Sequence, residues 1–336
     1  MNVCRYWYRA CSSLYRHIVL HRVSQCSALL RTLLENPTLT SYVEELNVYC
    51  FAVPRDTTIF TTSVRKIVQI CPRLRRFARK ISYIRMSPHD DSWKAPLIGG
   101  VSASLTDLDL PVFQFFDLLA LSDNNMDQNL RALTLHSVSE DYISVMEMHK
   151  IIPVSLSHLK TLDCWDIDRH EILLDIPQWN LPSLDTLSWP ATYSEAVLKS
   201  HGSHLLVLKA AYFKPETFWK LLSVHAPRLQ HLFIPGDVPV RVLANASHPT
   251  IEYLDMERKK AISNSNSKGA EHSKGLPKLK TVRAIQRHLV SNIHQVLPPG
   301  GSIGRYRYMG VDIHVEADRV YRADMGYILK YVPGLV

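Results

Sequence analysis

Histidines and one glycine-rich stretch are the residues of this chain whose types and spacing could do chemistry. His201 and His204 lie three positions apart, a spacing at which two imidazoles could share a metal ion. Gly202 lies between them, however, and predicts the end of a helix. The stretch PPGGSIG at 298–304 resembles a phosphate-binding loop in composition, but it follows an expected helix rather than a strand. We therefore expect a helix end and a turn at these two places.

Sequence patterns of catalytic sites are absent. The chain contains no G-x-x-x-x-G-K-[ST], no G-x-S-x-G and no H-E-x-x-H, which are typical of phosphate loops, activated serines and zinc hydrolases. Because catalysis needs a nucleophile with a base, a metal cage or a phosphate cradle, we predict a protein that is not an enzyme and that has no cofactor and no metal.

The number and spacing of the cysteines indicate the cellular compartment. Six cysteines are present, at Cys4, Cys11, Cys26, Cys50, Cys71 and Cys164. They form no C-x-x-C pair, so the spacing of zinc and thioredoxin-like sites is missing. The residues after Met1 contain no continuous apolar segment of a signal peptide. We expect reduced thiols that fill the core of a cytoplasmic or nuclear protein.

The charge of the chain is positive and unevenly distributed. There are 39 Lys and Arg against 31 Asp and Glu, a net charge of +8, with basic clusters at 65–80 and 258–280. Such clusters could follow a phosphate backbone, but a solvated charged face is their commoner meaning and no nucleic-acid motif accompanies them. The most apolar stretch, 111–121, is too short to span a bilayer. We expect neither a nucleic-acid partner nor a membrane span.

A short internal repeat provides the elements that would position any functional surface. The pattern apolar-x-x-apolar-x-apolar occurs in seven copies and in three weaker ones, at 43–48, 74–79 and 279–284, with a mean spacing of about 26 residues. The copies are 43–48, 74–79, 105–110, 130–135, 159–164, 184–189, 205–210, 229–234, 251–256 and 279–284. Each copy predicts a strand whose last two apolar residues point inward, so that stacked strands bury a continuous apolar ladder.

The segments between the strands have helical periodicity. Apolar residues recur on one face in 24–37, 62–71, 139–152, 215–226 and 288–297. A proline lies two residues before the strand pattern in five copies, at Pro72, Pro182, Pro227, Pro249 and Pro277. Because proline cannot continue a helix, these residues predict the corner between each helix and the next strand.

An ordinary α/β domain and a repeat solenoid would both alternate strands with helices. A parallel sheet that is covered on both faces has almost continuously apolar strands. Here the residues beside the leucines are often polar, among them Asp107, Thr134 and Lys209. This pattern favours a sheet with one solvent-exposed face. The length of the unit resembles that of leucine-rich repeats. We predict an α/β fold: an irregular leucine-rich repeat solenoid of about ten strand–helix units with a parallel concave sheet.

The concave face is the predicted binding surface. It consists of the residue between the last two apolar positions of each copy and the residue just after the copy. The candidates for substrate binding are Asp109, His136, Asp163, Trp165, Phe233 and Asp255. Exposed Trp165 and Phe233 would serve as apolar anchors. The recurring aspartates predict a partner with a basic segment beside an apolar one.

The first twenty residues resemble half of a known motif. VCRYW (3–7) followed by SLYRHIVL (13–20) resembles the second half of the F-box, in which a V-C-x-x-W helix precedes a buried Leu-Tyr and a strand-like exit. With the helix at 24–37 and the repeats, the chain resembles fungal F-box proteins that carry leucine-rich-like repeats. The resemblance implies that a Skp-type adaptor of a cullin-RING ligase binds the following residues: Val3, Cys4, Trp7, Leu14 and Tyr15. The leucine-proline opening of the box does not precede Val3, so an N-terminal cap on the repeats is the alternative.

The domain organisation and the function follow as expectations. Residues 1–40 form the partial F-box-like segment, 41–300 the solenoid with a flexible insertion at 257–277, and 301–336 a C-terminal cap. The resemblance implies a non-enzymatic substrate-recognition subunit of an SCF-type ubiquitin ligase, which binds an unknown protein on its concave face. The alternative is a stand-alone leucine-rich-repeat scaffold that recruits no ligase.

Overall fold

A computed structural model describes twelve stretches of the chain. They are 14–50, 56–79, 104–111, 115, 128–136, 154–164, 176–189, 194–210, 215–234, 246–258, 275–278 and 281–286. Several predicted features lie outside these residues: Val3, Cys4, Trp7, Trp165, the helices at 139–152 and 288–297, and the cap at 301–336. Most of the predicted insertion also lies outside them.

The chain divides into two compact α/β units. The first comprises Met1–Asp175 and Trp179–Pro182, and the second comprises Ile176–Gln178 and Ser183–Val336. The first unit has six described strands: β1 (His17–Leu20), β2 (Glu45–Val48), β3 (Arg76–Arg79), β4 (Asp107–Pro111), β5 (Ala132–His136) and β6 (Thr161–Asp163). The second has five: β7 (Thr186–Trp189), β8 (Val207–Ala210), β9 (His231–Ile234), β10 (Tyr253–Arg258) and β11 (Thr281–Gln286).

The strands of each unit are all parallel and follow one another in chain order. All ten predicted strands are confirmed. β1 comes from the F-box-like segment and pairs with β2, so this segment contributes a strand to the sheet. Glu257 and Arg258 belong to β10 and not to the predicted insertion at 257–277, because the strand continues beyond the apolar pattern.

The described residues include four α-helices, each between two of these strands. They are α1 (Val23–Glu35), α2 (Thr57–Ile70), α3 (Ser194–His201) and α4 (Pro215–His225). α1, α2 and α4 confirm the helices predicted within or around 24–37, 62–71 and 215–226, and α2 buries Val64 and Ile67 as its periodicity predicts. None of the helices that the structure describes is long and apolar enough to cross a bilayer.

The parallel register builds the apolar ladder. Residues of the second strand position align from strand to strand, Leu46, Phe77, Leu108, Leu133 and Leu162 in the first unit and Leu187, Leu208, Leu232 and Leu254 in the second. None of them is more than 3% exposed. The predicted burial of Leu133 and Leu162 is therefore confirmed. We call this side of each sheet, defined by these nine residues, the ladder side.

A backbone hydrogen-bond pattern repeats with the strands. The N–H groups of Arg75 and Arg76, at the start of β3, both donate to the carbonyl of Glu44, at 2.8 and 3.1 Å. The residue before a strand and the first residue of that strand make the same paired contact elsewhere. The accepting carbonyls are those of Arg16, Glu44, Arg75, Thr106 and Arg131 in the first unit and of Asp185, Leu206 and Gln230 in the second. The repeat of apolar residues is thus matched by a repeat of backbone geometry.

Two of the five predicted helix-to-strand corners directly follow a described α-helix. Pro72 and Pro227 each lie two residues beyond the end of a helix. The turns are closed by the N–H of Leu74, which donates to the Cys71 carbonyl, and by the N–H of Leu229, which donates to the Ala226 carbonyl. A proline at this point ends the helix without leaving an unpaired helical N–H group.

Gly202, at the end of α3, lies close to the backbone at the end of α4. A Cβ atom on Gly202 would lie 2.5 Å from the carbonyl oxygen of His225, at the end of α4. Because the neighbouring atom is backbone, we expect Gly202→Ala to lower the free energy of unfolding by about 1–3 kcal/mol, as overpacking does. Denaturant unfolding would measure this, with exposed Ser203→Ala as the control. Equal stability of the two variants would contradict the prediction.

Candidate protein-binding surface

The predicted concave residues lie on the side of each sheet opposite the ladder, which we call the polar side. The register aligns them as two columns: Asn47, Ala78, Asp109, Thr134 and Asp163 in the first unit, and Ser188, Lys209, Phe233, Asp255 and Arg283 in the second. The alignment confirms that the strand pattern gives the correct register. Because side chains alternate along a strand, these two columns lie on the opposite side of each sheet from the ladder.

In the first unit, the polar side contains a histidine–aspartate pair. His136 Nδ1 lies 3.3 Å from Asp109 Oδ1, and the two side chains are 12% and 6% exposed. Asp163, at the end of the same column, is also buried. These carboxylates were expected to meet solvent and a basic partner. Instead, Asp109 contacts an imidazole within the unit.

The second unit contains a closer pair. His231 Nε2 lies 2.6 Å from Asp255 Oδ2, with side chains 7% and 1% exposed, and the His231 ring meets Tyr253 edge-on. A carboxylate can orient an imidazole as a general base. Here the imidazole is almost completely buried, and it contacts the carboxylate and the Tyr253 ring within the unit. The pair compensates a charge that would otherwise be costly to bury.

The prediction that the polar side is exposed to solvent is wrong for most of the described strands. Phe233 is 1% exposed rather than an exposed anchor, and Lys209 and Ser188 are as deeply buried. Asp109, Asp163 and Asp255 are buried as well. A polar residue in a strand identifies the face on which it lies, but it does not determine whether that face is covered. In this structure these side chains offer little surface to a partner.

An accessible part of the polar side lies at β1 and β2. Val19 is 45% exposed and Tyr49 39% exposed, and the Tyr49 ring stacks on His21 with centroids 5.4 Å apart. We call Val19, His21, Asn47 and Tyr49 the β1–β2 patch. Asn47 and Tyr49 occupy the predicted concave positions of the copy 43–48, whereas the sequence pattern misses Val19 and His21 because β1 lacks the repeat. The β-branched residues Ile18 and Val19 of HIVL (17–20) were the available signal of a strand.

A second accessible apolar surface lies between two helices. Leu34 of α1 and Ile59 of α2 are 53% and 58% exposed. With Leu30, Arg31 and other side chains, they line an open groove of about 470 Å³. We call it the α1–α2 groove. It is on the helical side of the first unit, where no binding residue was predicted.

The F-box-like residues are described only in part. Leu14 is 73% exposed and Tyr15 is half-buried, so the buried Leu-Tyr that the resemblance implied is wrong for Leu14. The residue lies just before β1, outside the apolar ladder, and therefore gains no cover from the neighbouring strand. Val3, Cys4 and Trp7 lie outside the described residues.

The histidines considered for metal binding have different environments. His201 is buried, with Nε2 2.8 Å from the Ile176 carbonyl, and burial lowers the pKa of its imidazole. His204 is exposed, in the turn that follows α3. Within the described stretches, no three His, Cys, Asp or Glu side chains are grouped as metal ligands would be.

Comparisons with known proteins do not identify the chain. No protein-family model matches it, and no curated protein is significantly similar to it. The functional assignment therefore depends on the repeat geometry, on the accessible surfaces and on the resemblance at residues 3–20.

Proposed function

We propose that the chain is a non-enzymatic protein-binding module built as an irregular leucine-rich repeat solenoid. The observation that carries the proposal is the repeated unit: parallel strands in chain order, a leucine ladder in register and the same paired backbone contact before eight strands. Each strand aligns its apolar residues with those of its neighbours in the sheet, and stacking of this kind is how repeat proteins gain stability while presenting an extended surface.

We further propose that this module serves as the substrate-recognition subunit of an SCF-type ubiquitin ligase. The support is the resemblance of Val3–Trp7 and Ser13–Leu20 to the second half of the F-box, placed directly before the repeats. Such a subunit performs no chemistry and acts by holding its target near the transferred ubiquitin. The cytoplasmic or nuclear location expected from the thiols suits this role and stays a prediction.

The β1–β2 patch is our proposed site for the protein target. It combines the exposed aliphatic side chain of Val19 with the aromatic pair of Tyr49 and His21. Rigid aromatic side chains are enriched among interface anchors because they bury much apolar area at a low entropic cost. His17 and Glu45, 3.1 Å apart, lie beside the patch and provide a polar rim.

Adaptor binding is tested by Trp7→Ala. We expect this change to reduce co-purification of a Skp-type adaptor at least tenfold, because the resemblance places Trp7 in the adaptor contact. Quantitative pull-down with the full chain and purified adaptor measures the effect. Tyr49→Ala is the matched control, since it removes an aromatic side chain from the β1–β2 patch and should leave adaptor recovery unchanged.

The same pull-down from native cell extract separates the alternatives. Proteins that are lost with Tyr49→Ala and kept with Trp7→Ala would be targets held by the β1–β2 patch. Proteins that are lost with Ile59→Ser and kept with Tyr49→Ala would instead be held by the α1–α2 groove. If the unaltered chain recovers no adaptor, the ligase role is wrong. The protein would then be a stand-alone scaffold with an N-terminal cap.

A further inference from the structure

Two buried cysteines of the first unit lie side by side. The Sγ atoms of Cys26, in α1, and Cys50, two residues after β2, are 3.6 Å apart. Cys26 is fully buried and Cys50 is 4% exposed. A disulfide needs its sulfur atoms at about 2.05 Å, so the two atoms must approach by roughly 1.5 Å to form the bond. The two thiols join elements that are 24 residues apart in the chain.

A buried arginine lies at the end of β3, which pairs with β2. Arg79 occupies an inward position of β3, in register with Val48, where the repeat pattern calls for an apolar residue. It is only 5% exposed. Within the described part of the chain, its Nε and Nη1 atoms have no hydrogen-bond partner. Its guanidinium lies 5.7 Å from the centre of the Phe60 ring. Burying such a cation is costly unless an anion compensates it.

The thiolate of Cys50 fits the role of that anion. The pKa of Cys50 is lowered, first by its hydrogen bond with Cys26 and then, against the effect of burial, by a backbone hydrogen bond and by the positive charge of Arg79. The same hydrogen bond raises the pKa of Cys26. Burial raises the pKa of Cys71 to about 12 and also raises the pKa of Cys164. Among the described cysteines, the nucleophilic form is thus favoured at Cys50.

We propose that Cys50 and Cys26 form a reversible oxidation site for hydroperoxides, with Cys50 as the attacking thiolate, Cys26 as the resolving thiol and Arg79 as the positioning cation. The Cys50 thiolate attacks one peroxide oxygen: an S–O bond forms, the O–O bond breaks, and the other oxygen leaves as water or an alcohol after taking a proton. Cys50 is then a sulfenic acid, and the peroxide has been reduced.

The second step closes the disulfide. Cys26 loses its proton and attacks the Cys50 sulfur: the S–S bond forms, the S–O bond breaks, and the oxygen leaves as water with that proton. Two thiols and one hydroperoxide thus give one disulfide, one water and one alcohol or second water. The product ties α1 to the end of β2. A dithiol reductant reverses the reaction, as expected of regulatory disulfides in a reducing compartment.

The test uses the full chain, reduced and then treated with hydrogen peroxide. After the remaining thiols are blocked, peptide mapping should show a Cys26–Cys50 disulfide, while Cys71 and Cys164 stay reduced as internal controls. In Cys26→Ser, a sulfenic-acid reagent should label Cys50, whereas Cys50→Ser should give no label at Cys26. Arg79→Met should slow disulfide formation at least tenfold, and Cys71→Ser should leave its rate unchanged.

Several results would overturn the proposal. One is a folded, unaltered chain in which peroxide produces no Cys26–Cys50 disulfide, a result that requires no variant to fold. Another is oxidation of Cys50 no faster than that of Cys71 in the same sample. If the Arg79→Met variant reacts at the rate of the unaltered chain and has an unchanged melting curve, then Arg79 is not part of the oxidation site. Adaptor and target binding do not enter these measurements, so they test the oxidation site alone.

Discussion

Replacing Leu232 with alanine should lower the free energy of unfolding by about 2–5 kcal/mol. Leu232 lies in β9, in register between Leu208 of β8 and Leu254 of β10, and it is fully buried. The substitution removes contacts with both neighbouring repeats and leaves a cavity that a parallel sheet cannot close without shifting its strands. Urea unfolding followed by circular dichroism measures the loss.

Val224→Ala is the control for Leu232→Ala within the second unit. Val224 lies on α4 and is 61% exposed, so its truncation should change stability by no more than about 0.5 kcal/mol. If Leu232→Ala costs no more than this control, the ladder is not the core of the repeats. The solenoid interpretation would then fail with it.

Asp255→Ala should lower the free energy of unfolding by about 3–5 kcal/mol, as the loss of one partner of a buried pair does. The Asp255 carboxylate lies 2.6 Å from His231 Nε2, and its side chain is 1% exposed. Removing it leaves the imidazole without this acceptor in a place that water cannot easily reach. The expected effect is one of stability, because these side chains offer little surface to a partner.

A double-mutant cycle isolates the pair. His231→Ala, Asp255→Ala and the double variant should give a coupling energy of about 0.5–3 kcal/mol, as contacting residues do. Glu195→Ala is the control, because Glu195 pairs with Lys199 on the exposed surface of α3 and its loss should change stability little. Additive effects of the two single changes would show that the contact contributes nothing.

The sequence alone determined the strands and the corners between elements. Strand position depends on local alternation, so six residues such as LQHLFI (229–234) suffice to place β9. Proline acts on its own backbone and on its predecessor, so Pro72 and Pro227 mark their turns without reference to distant residues. The register of the ladder also followed, because each copy begins with the same pattern.

The sequence did not determine what lies against the second face of the sheets. Phe233 and Asp255 have the same strand position as the half-exposed Asn47, and nothing in their own repeats distinguishes them. Their burial depends on residues that are distant in the chain. β1 was recognised only as a strand-like exit, since its place in the sheet follows from its pairing with β2.

Tertiary structure also decided which polar side chains meet. His231 and Asp255 are 24 residues apart, as are Cys26 and Cys50, and neither pair has a spacing that predicts a contact. Arg79 stands in one of the weaker copies of the repeat, LRRFAR (74–79), where the pattern places an inward residue without indicating its partner. Local periodicity sets the direction of a side chain, whereas its neighbours and its access to water depend on the stacking of repeats.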